Sequence, residues 1–304
     1  MRIVSLACSN TEILHALGVS DQLVGVDSHS DFPRSVLKDL PRVGPDLEID
    51  VASVVALEPD LVLASLTVPG HETVVEGMEA AGVPLLTLAP ESLDDVPRSV
   101  ERVAERVGRE VEGRALADRL RRELIEAGAG AGEGSHRPSI LIQWWPKPII
   151  APGARSWIHG LLAAAGATHP LAEEAVLSRP LDDEEVAAAD PDAIVLAWCG
   201  VEPAKYRPDV VMRNPVLREI RAVRNGRVHL IPEAWLGRPG PRLLEGLRAL
   251  RTVVRDVRDD PPSDVAPGGY SGSDDNPSVE APSDDVLSGH TLSNDTSSNE
   301  GRAP

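Results

Sequence analysis

Four of the five tryptophans in this 304-residue chain follow apolar runs of strand length. Trp144 and Trp145 end the run that starts with ILIQ, Trp198 ends AIVLA, and Trp235 follows VHLIP. An indole offers a wide apolar face and one N–H donor, which suits the wall of a small-molecule site. Ligands of α/β proteins bind at the carboxyl ends of the strands. These four are therefore predicted to line a ligand cleft, with a place in the core as the alternative for each, and Trp157, inside a predicted helix, is predicted to be core.

A repeated phrase indicates which elements position these residues. Residues 52–65 (ASVVALEPDLVLAS) and 187–198 (AAADPDAIVLAW) each hold the end of a helix, a Pro-Asp pair and an apolar run. Proline ends the helix, and the unbroken apolar run is typical of a parallel strand buried on both faces. One copy in each half of the chain predicts an α/β fold of two Rossmann-like lobes with the ligand cleft between them.

The domain organisation follows from where the composition changes. We predict an N-terminal α/β lobe over 1–107, a bridging helix over 108–128 that starts at a break at Gly108, and a C-terminal α/β lobe over 138–258. The bridging segment is apolar on one face and charged on the other. Residues 259–304 are rich in Ser, Asp, Gly, Pro and Asn, and hold too little apolar surface to offset the entropy of ordering, which predicts a disordered acidic tail.

The charge balance excludes some partners. The net charge is −18, with 48 acidic against 30 basic residues, and only three of the basic residues are lysine. This acidity predicts a protein of a salt-rich environment, with an ordinary protein carrying a very acidic tail as the alternative. A nucleic-acid partner is disfavoured because no basic patch is visible. Two cysteines cannot build a disulfide framework, and no apolar run is long enough for a membrane span.

Motifs of catalysis and of metal binding do not occur. The chain has no Walker loop, no GxGxxG after its first strand and no GxSxG. The acidic pair Asp182 and Asp183 stands at a predicted helix start and is interpreted as capping. The histidines are scattered, without an HxH or HExxH pattern. We therefore predict a binding protein that is not an enzyme and needs neither a catalytic cofactor nor a resident metal.

Several phrases together carry a resemblance to a known family. Over about residues 2–255 the chain resembles the periplasmic cobalamin-binding proteins of ABC importers, within the class of substrate-binding proteins whose lobes are joined by a helical backbone. The phrases are RIVSLACSNTEILHALG, VGVDSHSDFP, LPRVG, ALEPDLVLA and GRPGPRLLEGLRAL. The resemblance implies a monomer that captures cobalamin or a related corrinoid in the cleft and can present it to the permease subunits of an importer.

The resemblance also implies roles for individual residues. His29 stands where the family usually has an aromatic cleft residue, Trp144 matches an aromatic wall, and Arg238 matches a basic cleft residue. Arg179 replaces a frequent aromatic; it would stack on the ligand or donate to its amides, with a surface arginine beside Glu173 and Glu174 as the alternative. His29 could also ligate cobalt, although an ordinary hydrogen-bonding role is the simpler interpretation.

Docking on a permease is implied through one acidic residue on each lobe. Glu72, at the start of a predicted helix, matches the first, and Glu184 in RPLDDEEV matches the second, with Asp183 or Glu185 as possible substitutes. An acidic residue is also favourable at a helix N-terminus by about 0.3–1 kcal/mol, which is the alternative explanation for each.

Two other ligand classes and the compartment stay open at this stage. A siderophore or haem binder is the nearest rival, although siderophore sites favour several arginines for their anionic chelates, and the tryptophan content and neutral loops argue against that. The family is extracytoplasmic, but no signal-peptide type of apolar stretch precedes the first strand. An intracellular corrinoid carrier is therefore the alternative to an importer component.

Overall fold

The first lobe is built on a parallel four-stranded sheet. The computed structural model describes residues 1–125 and 137–259. The strand order is β2-β1-β3-β4, and every neighbouring pair is parallel. The strands β1 and β3 are buried along their whole length, as their unbroken apolar sequences predict. The strands are β1 (Ile3–Ser5), β2 (Leu23–Val26), β3 (Leu61–Ser65) and β4 (Leu85–Leu88).

Short helices connect these strands. Asp50 caps α3 by accepting the N–H groups of Ala52 and Ser53, and Gly70, in the left-handed conformation, leads into α4. The helices of this lobe are α1 (Cys8–Ala16), α2 (Arg34–Leu37), α3 (Val51–Ala56), α4 (His71–Ala80) and α5 (Asp95–Arg106).

The bridging helix begins where the sequence predicts a break. Gly108 has a φ of +67°, and α6 (Glu110–Leu120) follows it, continued by a π-helical turn over Arg121–Ile125. The helix packs on α5 at its start and on second-lobe helices at its end. A helix therefore links the lobes as predicted, but the last predicted residues, 126–128, lie outside the described part of the chain.

The second lobe holds two small sheets. A parallel sheet has the order β10-β9-β5, and a separate antiparallel sheet has the order β6-β7-β8. The antiparallel sheet is absent from the prediction because its prolines made the segment resemble a loop. The strands are β5 (Ile140–Gln143), β6 (Trp145–Pro146), β7 (Ile149–Pro152), β8 (Ser178–Leu181), β9 (Ala193–Leu196) and β10 (Val228–Leu230).

The helices of this lobe are short except for two. Asp182 and Glu185 form a capping box at the start of α8, which confirms the capping interpretation for Asp182. Asp183 does not cap the helix; its carboxylate accepts a hydrogen bond from Asn214 at 2.7 Å. Trp157 is buried and its indole N–H donates to the carbonyl of Leu236, as expected for a core residue. The helices are α7 (Trp157–Ala165), α8 (Asp183–Ala189), α9 (Asp209–Met212), α10 (Arg221–Arg224), α11 (Glu233–Leu236) and α12 (Leu243–Asp259).

A single hydrophobic core continues from one lobe into the other. One cluster of buried side chains includes Ile13 of the first lobe, Leu124 of the bridging helix, and Leu161 and Leu250 of the second lobe. The two lobes are thus packed together rather than tethered, and all described residues belong to one compact unit. Within the described ranges no helix has the length and hydropathy of a membrane span.

The contact between α5 and α6 offers a test of how the bridging helix is held. A Cβ added at Gly113 would collide with the Cβ of Ala104. We expect Gly113→Ala to lower the free energy of unfolding by about 1–3 kcal/mol, because overpacking a close helix contact forces the backbones apart. Urea denaturation measures this loss.

Two further variants serve as controls for that measurement. Adding Ala104→Gly to Gly113→Ala should recover part of the loss, since it removes the colliding methyl group. Val111→Ala, at a site 80% exposed on the same helix, should change stability by no more than about 0.5 kcal/mol. A double variant no more stable than Gly113→Ala would show that the helices do not pack as described.

Candidate functional site

The site is formed by the loops that leave the carboxyl ends of the two parallel sheets. The first lobe supplies the loop after β2, residues 27–33, and the loop after β3, residues 66–70. The second lobe supplies the segments after β5, after β9 and after β10, the last running over residues 231–242. Because strands in a parallel sheet all end at one edge, each lobe presents its loops together.

Arg238 ties these loops together across the lobes. Its guanidinium donates to Glu233 at 3.1 Å in its own lobe, and to Glu12 at 3.0 Å and Asp31 at 2.6 Å in the first lobe. Only 10% of the Arg238 side chain is exposed. The residue was predicted to serve the ligand, but its donors are engaged by three carboxylates, so its first role in the structure is to join the lobes.

Arg242 strengthens the same junction. Its guanidinium donates to the Oε1 atom of Glu12 at 3.1 Å and lies 4.5 Å from the ring centroid of Phe32, a cation–π contact. A second pair joins the lobes where Arg155 of the second lobe forms a two-pronged ion pair with Glu91, from the loop after β4. Ion pairs therefore bind the lobes at two separate places.

The pKa values of the carboxyl groups in this junction shift in opposite directions. Burial raises the pKa of Glu12 to about 7, although Arg238 and Arg242 both act to lower it. Among the described residues, the Oε2 atom of Glu12 is buried without a hydrogen-bond partner, so the cost of burying this carboxyl group is offset at one of its two oxygens only. Burial alone would raise the pKa of Asp31, but the hydrogen bond and charge of Arg238 lower it overall.

The tandem tryptophans take different positions. Trp144 is half-buried beside Trp157, with ring centroids 6.0 Å apart, and its indole N–H is buried without a partner in the described residues. Trp145 begins the small antiparallel sheet with 40% of its surface exposed. Trp145 thus exposes an aromatic face next to the end of β5, whereas Trp144 is the more buried of the two.

The other two tryptophans are less available. Trp198 is 5% exposed; its N–H donates to Gln143 at 3.0 Å and its ring packs on Tyr206. Trp198 is therefore a core residue, which is the alternative that the sequence left open for it. Trp235, in α11, is partly buried against the shared core. An indole at the end of a strand can point into the lobe as readily as out of it, and the sequence does not distinguish the two.

Arg179 also departs from its predicted role. On β8 it donates to Glu174 at 2.6 and 2.8 Å and to Glu185 at 2.8 Å. These hydrogen bonds raise its pKa above the ordinary arginine value. The alternative of an arginine paired with nearby glutamates describes this residue, whose guanidinium is already engaged.

Several residues near the carboxyl ends of the first-lobe strands were not predicted from the sequence as site residues. Asp46 lies between two histidines, His29 and His71, and the apolar side chains of Leu47 and Val68 are about 40% exposed. Exposed aliphatic side chains on a cleft loop offer a ligand surface without any aromatic signal. No spacing rule in the sequence connects these three loop segments, so only the fold brings them to notice.

The two predicted docking residues lie at helix N-termini on different lobes. Glu72 is in the first turn of α4, where its carboxylate accepts the N–H of Gly70 at 2.8 Å. Glu184 is in the first turn of α8 and is exposed, while its neighbour Glu185 is engaged by Arg179 and Asp182. Of Glu184 and Glu185, Glu184 is therefore the one whose carboxylate is not engaged in these hydrogen bonds.

A resident metal centre has no support among residues 1–125 and 137–259. These residues contain no group of three or more His, Cys, Asp and Glu side chains arranged to hold a metal ion. The closest pair of histidines, His159 and His169, is joined by a 3.1 Å hydrogen bond. Burial lowers the pKa of His169 to about 4, so His169 is neutral at ordinary pH.

Comparison with known proteins decides the family. The model of the periplasmic binding protein family matches residues 3–234. The chain belongs to this family. It is 31% identical over 258 residues to YvrC, an uncharacterized ABC transporter substrate-binding lipoprotein of Bacillus subtilis (strain 168), with 83% of this chain and 79% of that protein covered.

Two further relatives are similar over most of their length. A vitamin B12-binding protein of Vibrio parahaemolyticus is 26% identical over 247 residues, which cover 81% of this chain and 86% of that protein. The structure is similar to that of the periplasmic haem-binding protein RhuT from Roseiflexus sp. RS-1 in its apo form. That match has a TM-score of 0.73 and 30% identity, and covers 84% of this chain and 98% of the other. The family and fold class predicted from the motifs are confirmed, and the relatives are transport binding proteins rather than enzymes.

Removing the Arg238 guanidinium tests the junction between the lobes. We expect Arg238→Met to lower the free energy of unfolding by about 3–5 kcal/mol, because it leaves buried carboxylates without their cation. Arg248→Met, an exposed arginine paired with Glu123 at 3.4 Å, is the matched control and should cost no more than about 1 kcal/mol. Equal losses in the two variants, measured by urea denaturation, would contradict the assignment.

The raised pKa of Glu12 predicts a pH dependence of stability. Since the folded state holds this proton up to about pH 7 and the unfolded state releases it at an ordinary glutamate pKa near 4.5, the stabilisation is lost as the pH rises through that interval. Relative to Glu12→Gln, the wild type should therefore lose stability between about pH 4.5 and about pH 7. Urea titrations of both proteins across this range measure the difference; a difference that does not change with pH would mean that Glu12 is ionised throughout.

Proposed function

We propose that this protein binds a corrinoid, with cobalamin as the representative ligand, in the cleft between its lobes and delivers it to an ABC-type importer. Membership of the periplasmic binding protein family supports the transport role. The vitamin B12-binding relatives support the ligand class. The choice among ligands is argued from the charges and surfaces of the cleft.

The surfaces at the cleft suit a broad amphipathic disc. Trp145 offers an exposed indole on the second lobe, and Leu47 and Val68 offer exposed aliphatic groups on the first. The half-exposed imidazole of His29 adds a polar group for a rim of amides. A few polar groups on mainly apolar walls are what a ligand of this kind requires.

Charge is the observation that carries the choice of a corrinoid. The arginines between the lobes, Arg238 and Arg242, are already paired with Glu12, Asp31 and Glu233. An anionic ligand would have to displace these carboxylates or remain without a cation, and an unpaired buried charge is costly. A corrinoid presents neutral amides around its rim and requires no such exchange.

Haem is the second candidate, because RhuT, a structural relative at 30% identity, is a haem-binding protein. Haem carries two carboxylates, and anionic siderophores carry more negative charge. The engaged state of Arg179, Arg238 and Arg242 argues against both ligand types in this cleft. An intracellular corrinoid carrier would share the same ligand site and differ only in its partner.

Delivery requires a surface that a permease recognises. Glu72 and Glu184 each project a carboxylate from the first turn of a helix, one on each lobe. Two acidic contacts held at a set separation by rigid lobes would orient the cleft toward basic groups on the membrane subunits. Their placement supports the proposed docking role, in which arginines of the permease are the partners.

Calorimetric titration with cyanocobalamin, haemin and a ferric hydroxamate siderophore tests the ligand. We expect cyanocobalamin to bind most tightly, and Trp145→Ala to weaken its binding by about tenfold or more, the equivalent of about 1.4 kcal/mol of lost ring contact. Val111→Ala, an exposed apolar residue on the bridging helix, is the control and should leave binding unchanged. Tight binding of haemin with no heat from cyanocobalamin would favour the second candidate instead.

A further inference from the structure

His29 lies at the cleft on the first lobe. Its backbone N–H donates to the Oδ2 atom of Asp27 at 2.8 Å, which fixes the loop after β2. Its imidazole is 45% exposed. Asp31 of the same loop pairs with Arg238 of the second lobe at 2.6 Å. The loop that carries His29 therefore borders the other lobe, and its imidazole is accessible to a ligand.

Asp46 links His29 to a second histidine behind it. The Nε2 atom of His29 lies 3.6 Å from one oxygen of Asp46, and the Nε2 atom of His71 lies 3.4 Å from the other. His71 is buried, with 4% of its surface exposed, whereas the side chains of Asp46 and His29 are accessible to solvent. The hydrogen bond from His71 holds the pKa of Asp46 below its ordinary value, which keeps the carboxylate ionised.

This arrangement determines which nitrogen of His29 is free. The Nε2 atom lies on the Asp46 side of the ring at 3.6 Å, an ion-pair distance longer than a hydrogen bond, so Nδ1 is the nitrogen on the side away from that carboxylate. A histidine that ligates a metal typically donates its other N–H to a carboxylate, which fixes the ring and makes the ligating nitrogen more basic. A surface histidine whose only role is solvation needs neither a carboxylate partner nor a buried second histidine behind that carboxylate.

We propose that His29 is an axial ligand, through Nδ1, of the cobalt in the bound corrinoid, and that Asp46 and His71 are positioning residues for it. The proposal rests on the proposed function, because the metal belongs to the cargo. The step is a ligand exchange: the Nδ1 lone pair forms a bond to cobalt, a cobalt-bound water leaves, and the oxidation state of the metal does not change. The proton on Nε2 stays on the side of Asp46.

Two corrinoids that differ in their exchangeable ligand separate this proposal from the proposed function. Aquocobalamin carries a water that imidazole can replace, whereas the cyanide of cyanocobalamin occupies that position. On mixing with the wild-type protein, we expect a shift of the visible spectrum of aquocobalamin and none for cyanocobalamin, with calorimetry showing that both bind. Binding of both without a shift would overturn the role of His29 and leave the proposed function standing; absence of binding by either would overturn both.

Three variants test the individual roles. His29→Ala should abolish the spectral shift of aquocobalamin and weaken the binding of aquocobalamin more than that of cyanocobalamin, because only aquocobalamin loses a bond to cobalt. His159→Ala, a histidine of α7 in the other lobe, is the matched control and should keep the shift. A shift that survives His29→Ala would overturn the proposal.

Asp46→Asn tests the positioning role, because it keeps the size of the side chain and removes its charge. We expect affinity for aquocobalamin to fall by about 10–100-fold, as is typical when a partner behind a metal-ligating histidine is lost, while affinity for cyanocobalamin stays unchanged. A merely structural Asp46 would weaken both ligands equally, and that result would contradict its positioning role.

Discussion

The guanidinium of Arg238 joins carboxylates from both lobes, and the site is built around this junction. Glu12 and Asp31 come from the first lobe and Glu233 from the second. A buried arginine with several carboxylate partners sets the distance and orientation of the elements that carry them, since leaving any of these charges unpaired is costly. The shared hydrophobic core and the bridging helix hold the lobes near each other, and the ion pairs hold the cleft loops in register.

This junction also determines which side-chain groups are available to a ligand. Because the arginines between the lobes are neutralised internally, the open surfaces of the cleft are aromatic, aliphatic and imidazole groups such as Trp145, Leu47 and His29. Such a cleft favours a large ligand whose edge is uncharged. The acidity of the chain as a whole points in the same direction, since a net charge of −18 repels anionic ligands.

The relatives identify the family of this chain, and its own residues bear on which ligand it binds. The relatives establish a periplasmic binding protein, and their own ligands, vitamin B12 and haem, share a tetrapyrrole ring. Our proposal of a corrinoid rather than haem rests on the charges of this chain's residues and not on the shape of the ligand. His29 adds a feature that follows from geometry alone, because its partners Asp46 and His71 come from two other segments of the first lobe.

Local patterns in the sequence determined the elements. Apolar runs after Pro-Asp specify the buried strands β3 and β9, Gly108 separates the helices α5 and α6, and the acids at Asp182 begin a helix, because each signal acts over a few residues. The tertiary structure alone decided which side chains face the cleft. Trp198 turned inward, Arg238 was drawn into the junction, and Asp46 came between two histidines. Such outcomes depend on contacts between residues far apart in the chain, which no local pattern encodes.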